Sequence, residues 1–323
     1  MTDAPHVSAI FPRVLDATML SDFRSCPHKF FRRHVQGLTR DRSNIHLHFG
    51  GAVASGLEAA RREFCTSHDS SDALHVGCEA LVQAWGDFDF TPSTRTEANK
   101  TLSNALLALQ SYFHEWPLDD DPISIHHHAG EPCIEYSFAL PLPNLRHPDT
   151  DEPLLYAGRF DFIGDFNSMT IGVDDKTTSG DPNNDHWRQQ WKLRSQFSGY
   201  CWGAREYGLT LRGFMVRGIG VLKDSVRCGE AFVSRPDWLI DAWLAQTRRD
   251  VIDMSGAYLD WKAHYIHAAS PHDTAHPFSQ RFDNACADFG GCTYLDLCSS
   301  RTPDTWLSEY VVRRWDPLTR QES

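Results

Sequence analysis

The chain has 323 residues, 41% of them hydrophobic, enough to bury a sizeable core in one large domain or two modest ones. Its formal charge of −12 argues against a protein that coats nucleic acid, which needs lysine and arginine. No run approaches the ~18 apolar residues of a membrane helix. The first residues, Met1-Thr-Asp-Ala-Pro-His, lack the basic-then-apolar pattern of a secretory signal, and the expected compartment is cytoplasmic. Nine cysteines in a chain too long to need disulfide staples point toward metal rather than disulfides.

In chain order, Leu15 to Val35 reads as two short helices broken at Cys26-Pro27, where proline suits a first helical turn. Positive charge concentrates here: Arg24, Lys29, Arg32, Arg33, Arg40 and Arg42, opposed only by Asp41, form either a solvated face or a phosphate-contacting patch. Phe49 to Phe64 has helical apolar spacing, with Val53, Leu57, Ala60 and Phe64 on one side. Further helices are expected over 71–85 and 94–116. The texture then changes to strands, over 123–128, 133–140, 154–165 and 169–177, separated by Pro, Asn, Asp and Gly. A helix over 185–207, strands over 211–222 and 227–233, and a long helix over 236–262 follow. The last ~60 residues are punctuated by Cys, Gly and Pro. The order predicts an α/β fold with a helical insertion near the front.

Tyr156-Ala-Gly-Arg-Phe-Asp-Phe-Ile-Gly followed by Thr170-Ile-Gly-Val-Asp-Asp-Lys-Thr-Thr reads as a hairpin, with Asp161 on one strand and Asp174 and Lys176 on the next. Strand side chains alternate, so Asp174 and Lys176 share a face while Asp175 points away and its removal is expected to be mild. Two carboxylates and a lysine at one spot suit phosphodiester hydrolysis. Oxygen ligands hold Mg²⁺ or Mn²⁺, the metal polarises phosphate and acidifies water, and the lysine stabilises developing charge. The bland alternative is an exposed hairpin with a surface ion pair. Glu135, on the preceding strand, is a further possible carboxylate or a solvent-facing residue.

These segments resemble the Gly-Arg-x-Asp … Asp-x-Lys-Thr signature of the RecB-like branch of the PD-(D/E)XK nucleases. Ser21-Asp-Phe-Arg-Ser-Cys-Pro-His-Lys-Phe, Phe49-Gly-Gly-Ala-Val-Ala-Ser-Gly-Leu-Glu and Gln196-Phe-Ser-Gly-Tyr200 resemble three more of that branch's motifs, in the same order. The likeness implies a restriction-endonuclease-like core, with a mixed central sheet flanked by helices, within a single nuclease domain over 1–323. Its expected parts are an N-terminal arm (15–48), a helical region (49–116), a catalytic core (120–235) and a long helix with a cysteine-rich tail (236–323). It implies a DNA nuclease, an exonuclease on single-stranded DNA or DNA ends, with Asp161 and Asp174 holding Mg²⁺ or Mn²⁺, Lys176 assisting, and Gln196 and Tyr200 orienting the site. Asp175 touches metal only through its backbone in this reading. Two departures stand out: the family's ligand histidine falls at Ala54, and the usually aromatic residue between acid and lysine is Asp175. Glu58, one helical turn from Ala54, is either the substitute ligand or one half of a surface ion pair. Arg24, Lys29, Arg32, Arg33, Trp191 and Lys192 are the expected DNA contacts.

Cys286, Cys292 and Cys298 are separated by five residues each. Four thiolates bind zinc or an iron–sulfur cluster, and Cys26 is the candidate fourth. The resemblance to iron–sulfur nucleases such as AddB and the CRISPR-associated exonucleases implies this split and a 4Fe–4S cluster. It also implies a recombination, helicase or CRISPR adaptation partner. Rival readings are a weakened nuclease fold serving as a DNA-binding subunit and a zinc-stabilised scaffold. Cys65, Cys78, Cys133, Cys201 and Cys228 are expected to be small core residues.

Overall fold

The computed structural model describes residues 8–40, 44–223, 225–265, 276–282, 284–287, 291–319 and 321–322. Asp41, Arg42 and residues 288–290 of the cysteine-rich tail lie outside them. The chain forms two compact units: a sheet unit of residues 43–137 and 159–240, and a terminal unit of 1–42, 138–158 and 241–323.

The sheet unit is built on five strands: β1 (Ser124–Ile125), β2 (Phe162–Phe166), β3 (Met169–Thr178), β4 (Gly213–Val221) and β5 (Val226–Ser234), in the order β5-β4-β3-β2-β1. The β3–β4 pair is parallel and the others antiparallel, so the central sheet is mixed, as the resemblance implies. A parallel pair needs a crossover. Here it is made by two short helices where one was expected, Asp185–Gln189 and Ser195–Glu206. Every residue of β4 is buried, the mark of a strand covered on both faces, whereas β5 alternates at the edge. The stretch expected as one strand over 154–165 is broken at Phe160–Asp161, which places Asp161 in the bend before β2.

One sheet face is covered by α1 (Ile45–Ser67), α2 (Ser70–Trp85) and α3 (Leu102–Glu115). Phe49, Val53, Leu57 and Ala60 of α1 pack with Leu81 of α2, Leu109 and Tyr112 of α3, and Ile219 of β4. Phe64, expected on this face, is half-buried; Arg61 is buried instead. Helices α1 and α2 approach closely because both carry glycine at the crossing: a Cβ on Gly77 would lie 2.8 Å from the Gly56 carbonyl. Among the described residues no helix is long and apolar enough to cross a membrane.

In the terminal unit, helix Ala17–Ser25, the turn Pro27–Phe30 and a wider turn over Phe31–Val35 follow strand Val14–Leu15, which pairs in parallel with Pro153–Arg159. Strand Leu38–Arg40 pairs antiparallel with Tyr310–Val312, joining the two ends of the chain.

Candidate active site

Alternation along β3 sends Asp174 and Lys176 to one face, where Lys176 Nζ lies 2.7 Å from Asp174 Oδ2. The Phe162–Val173 register sets Asp161 beside them, and Asp161 Oδ2 accepts a 2.7 Å hydrogen bond from the Asp175 backbone N–H. Gln196, near the start of the crossover helix α5 (Ser195–Glu206, after α4, Asp185–Gln189), donates to Asp174 Oδ1 at 3.0 Å. One turn on, the Tyr200 ring packs on Phe160 and Phe214, and its phenol receives a hydrogen bond from the Arg159 backbone within range of the Asp161, Asp174 and Lys176 charges. The five residues expected at the catalytic centre are therefore brought together.

Burial, and then the neighbouring Asp174 charge, raise the Asp161 carboxyl well above 3.8. Burial raises Asp174 too, against the pull of Lys176. Burial works against the Lys176 charge, but Asp174 and Asp161 more than offset it and hold the amine protonated. Two buried carboxylates sharing one ammonium leave the site short of positive charge. Asp174 Oδ2 has no hydrogen-bond donor in line, only the off-axis ammonium. That shortage, with an all-oxygen donor set, fits a hard divalent cation. Among the described residues, no three His, Cys, Asp or Glu side chains already stand together as a formed ion site.

The raised Asp161 carboxyl has a consequence for stability. A carboxyl whose folded value exceeds its unfolded one contributes stability that is present below about 3.8 and is lost as pH rises through the folded value. In metal-free protein, the unfolding free energy of the wild type minus that of Asp161→Asn, from denaturant titrations, should fall as pH is raised from 4 toward neutrality, by about 1.4 kcal/mol per pH unit at most. A difference that holds level would show that the carboxyl titrates in its ordinary range.

The other expected metal residues are occupied elsewhere. The Asp175 carboxylate lies on the opposite sheet face, 2.6 Å from Arg61 Nη2 and 2.8 Å from the Tyr112 hydroxyl. Arg217, its β4 neighbour and fully buried, bonds both oxygens of Asp121 at 2.6 Å and the Tyr112 hydroxyl at 3.2 Å. Glu58 pairs with Arg62 at 2.9 Å, one helical turn away. The Glu135 carboxylate pairs with Arg159, while its backbone N–H donates to the Asp161 carbonyl. Arg61, Tyr112 and Arg217 were not singled out in the sequence. An arginine four residues after Leu57, on the apolar side of a helix, was the available signal.

The expected DNA contacts are corrected in part. Trp191 and its neighbour Trp187 are 6% and 5% exposed, so neither ring can stack on a base. The N-terminal basic run turns to partners in its own unit: Arg24 to Asp250, Lys29 and Arg33 to Asp22, and Arg32 to Gln36 and His28. Lys192 is exposed.

In the terminal unit, Cys26, Cys286, Cys292 and Cys298 line one cavity of about 380 Å³ together with Lys29 and Tyr294. All four are free thiols, and the Cys292 N–H donates to the Cys286 carbonyl at 2.8 Å. Burial pushes the Cys298 thiol up to about 11; the charge of Arg32 opposes the rise, and Cys292, Cys26 and Cys286 add to it. Four thiols lining one cavity are the donor type that zinc or an iron–sulfur cluster takes, but among the described residues they do not stand together as a formed ion site. Cys133 and Cys201 are buried, and Cys65, Cys78 and Cys228 half-buried.

A family model described as the PD-(D/E)XK nuclease superfamily matches residues 15–299. The chain belongs to this superfamily. This nuclease has a mixed α/β core, and Asp161, Asp174 and Lys176 stand together on one face of its sheet. Two solved structures resemble it. A candidate exonuclease from Eubacterium rectale is 10% identical over 76% of this chain and 82% of its own, with a TM-score of 0.44. A protein named SSO0001 is 14% identical over 62% of this chain and 73% of its own, with a TM-score of 0.26. No curated protein matches the chain.

Proposed function

We propose that this nuclease hydrolyses DNA from an end, acting on single strands or single-stranded tails, with Mg²⁺ or Mn²⁺ held by Asp161 and Asp174. The observation that supports it most is the placement of Lys176, 2.7 Å from Asp174 and beside Asp161 on one buried sheet face. A divalent cation bound there supplies polarisation of the phosphate and acidification of water. Lys176, beside both carboxylates, places a positive charge next to the attacked phosphate and its attacking water. Gln196 fixes the Asp174 rotamer, leaving its second oxygen turned toward Lys176. Tyr200 closes the apolar side of the site with Phe160 and Phe214 and excludes water there.

End-labelled single- and double-stranded DNA incubated with the protein and Mg²⁺ or Mn²⁺ tests this directly. Progressive shortening of the single strand is expected, and intact label under every metal condition would sink the reading. Ala54, at the family's histidine position, favours a second reading: a DNA-binding subunit that binds the same oligonucleotides without shortening them.

We also propose that Cys26, Cys286, Cys292 and Cys298, which line one cavity, take a 4Fe–4S cluster that clips the chain's two ends together. Anaerobically purified protein should be brown, with broad absorption near ~400 nm. Cys26→Ser should lose the colour and several degrees of melting temperature, whereas Cys201→Ser should keep the colour. Colourless protein with stoichiometric zinc would replace the cluster with a zinc site.

A further inference from the structure

The crossover between β3 and β4 carries a short segment, 188–194, running from the last turn of α4 through a turn to the start of α5, that the catalytic reading leaves unused. Two tryptophans anchor it from below. The Trp187 ring lies over Gly218, where a Cβ would meet it at 2.5 Å, and Gly218 is the β4 register partner of Lys176. Trp191 packs edge-on against Trp187 at 5.4 Å and against Phe197 at 6.1 Å, and its carbonyl accepts from Arg235 at 3.0 Å. The tether thus runs from the segment to the strand position beside the catalytic lysine.

With both tryptophans turned inward, the residues between and after them face outward. Arg188, Lys192, Leu193 and Arg194 are all exposed, Leu193 by 79%. Among the described residues no ion pair holds Lys192 or Arg194; Arg188 has only a 3.3 Å hydrogen bond to the Asn183 side chain. Three cations without carboxylate partners are unexpected in a chain with a net charge of −12, whose N-terminal basic run is paired internally. Arg194 immediately precedes α5 and stands two residues before Gln196, which bonds Asp174. Its charge is also felt at the Asp174 carboxyl, which burial raises and Lys176 and then Arg194 pull down.

We propose that segment 188–194 holds the substrate strand, with Arg188, Lys192 and Arg194 contacting phosphates and Leu193 contacting the bases of single-stranded DNA entering the site. This rests on the nuclease reading above and assigns its strand-holding surface. Positive side chains spaced along a short segment suit a phosphate backbone. An aliphatic side chain standing free among them has no partner on the outside of a duplex, where bases are stacked inward; unstacked bases offer it an apolar face.

Binding of labelled oligothymidylate, measured across a salt series without divalent metal, reads this out separately from cleavage. Each lost phosphate contact on a single strand lowers the slope of log affinity against log salt by about 0.7, so Lys192→Gln with Arg194→Gln should lower it by about 1.4. Arg95→Gln, an equally exposed arginine outside the segment, should leave the slope unchanged. Leu193→Ser should weaken single-strand binding several-fold while leaving the salt slope and duplex binding as they are. Wild-type protein that shortens labelled DNA while the double variant keeps the full slope would overturn the segment's assignment alone. Equal losses on duplex and single strand for Leu193→Ser would overturn its contact with bases. Wild-type protein that neither binds nor cuts would remove the nuclease reading, and this inference with it.

Discussion

Asp174→Asn should lower the rate of DNA cleavage by at least a hundredfold while the protein still folds. Asp174 sits between Lys176 at 2.7 Å and the Gln196 amide at 3.0 Å. The substitution keeps its size but removes the charge that both the ammonium and a cation need. Groups that stabilise a developing transition-state charge are worth about 10²–10³ in rate each, and loss of a metal ligand removes more than one such contribution. Lys176→Ala should fall in the same range for a different reason, since it leaves two buried carboxylates facing each other without a counter-charge. It should also bind the divalent cation more tightly, because the cation inherits the site of the ammonium. Metal affinity by calorimetry separates the two variants: weaker for Asp174→Asn, unchanged or stronger for Lys176→Ala. Residual cleavage near the wild-type rate in either would place the chemistry elsewhere.

Asp175→Ala should destabilise the fold by about 3–5 kcal/mol, the usual result of removing one partner of a buried ion pair. The sequence expectation of a far milder loss of cleavage than at Asp174 concerns activity, and this cost falls on stability instead. Arg61 and Asp175 are 5% and 6% exposed, and the carboxylate also receives the Tyr112 hydroxyl, which Arg217 bonds in turn. Without Asp175, the Arg61 guanidinium is left in an apolar wall against the Phe162 ring, its centre 4.4 Å away. The cost should be largely recovered in the double variant Asp175→Leu with Arg61→Met, because replacing a whole buried pair by apolar groups of similar size is often neutral. Denaturant unfolding of the two single variants and the double gives the coupling. An Asp175→Ala protein within 1 kcal/mol of wild type would show that the pair is hydrated.

The contrast between adjacent residues 174 and 175 shows where sequence reasoning reaches its end. Period-two alternation put Asp174 with Lys176 and turned Asp175 away, and β3 has that geometry. What Asp175 turns toward could not be read, because Arg61 and Tyr112 lie 114 and 63 residues away along the chain. The same limit applied to the basic run near the N-terminus. Its charges are evident in the sequence, but Asp250, which neutralises Arg24, is 226 residues distant. Tryptophan spacing likewise gave no warning that Trp191 would be buried; the glycine on β4 that receives Trp187 made an inward seat for the pair.

Most element types and the Asp161, Asp174 and Lys176 set were legible in the sequence because they rest on local periodicity and residue chemistry, whereas the mixed sheet and the grouping of Cys26 with three C-terminal cysteines followed from the family resemblance. Only the tertiary structure decided which charges remain available. An ionic side chain in a folded protein is spent on the nearest opposite charge, and that neighbour is set by helix packing and strand order between segments far apart in the chain. Asp175, Glu58 and the N-terminal arginines were claimed in this way, while Lys192 and Arg194, on a segment held up by two buried indoles, were left facing solvent.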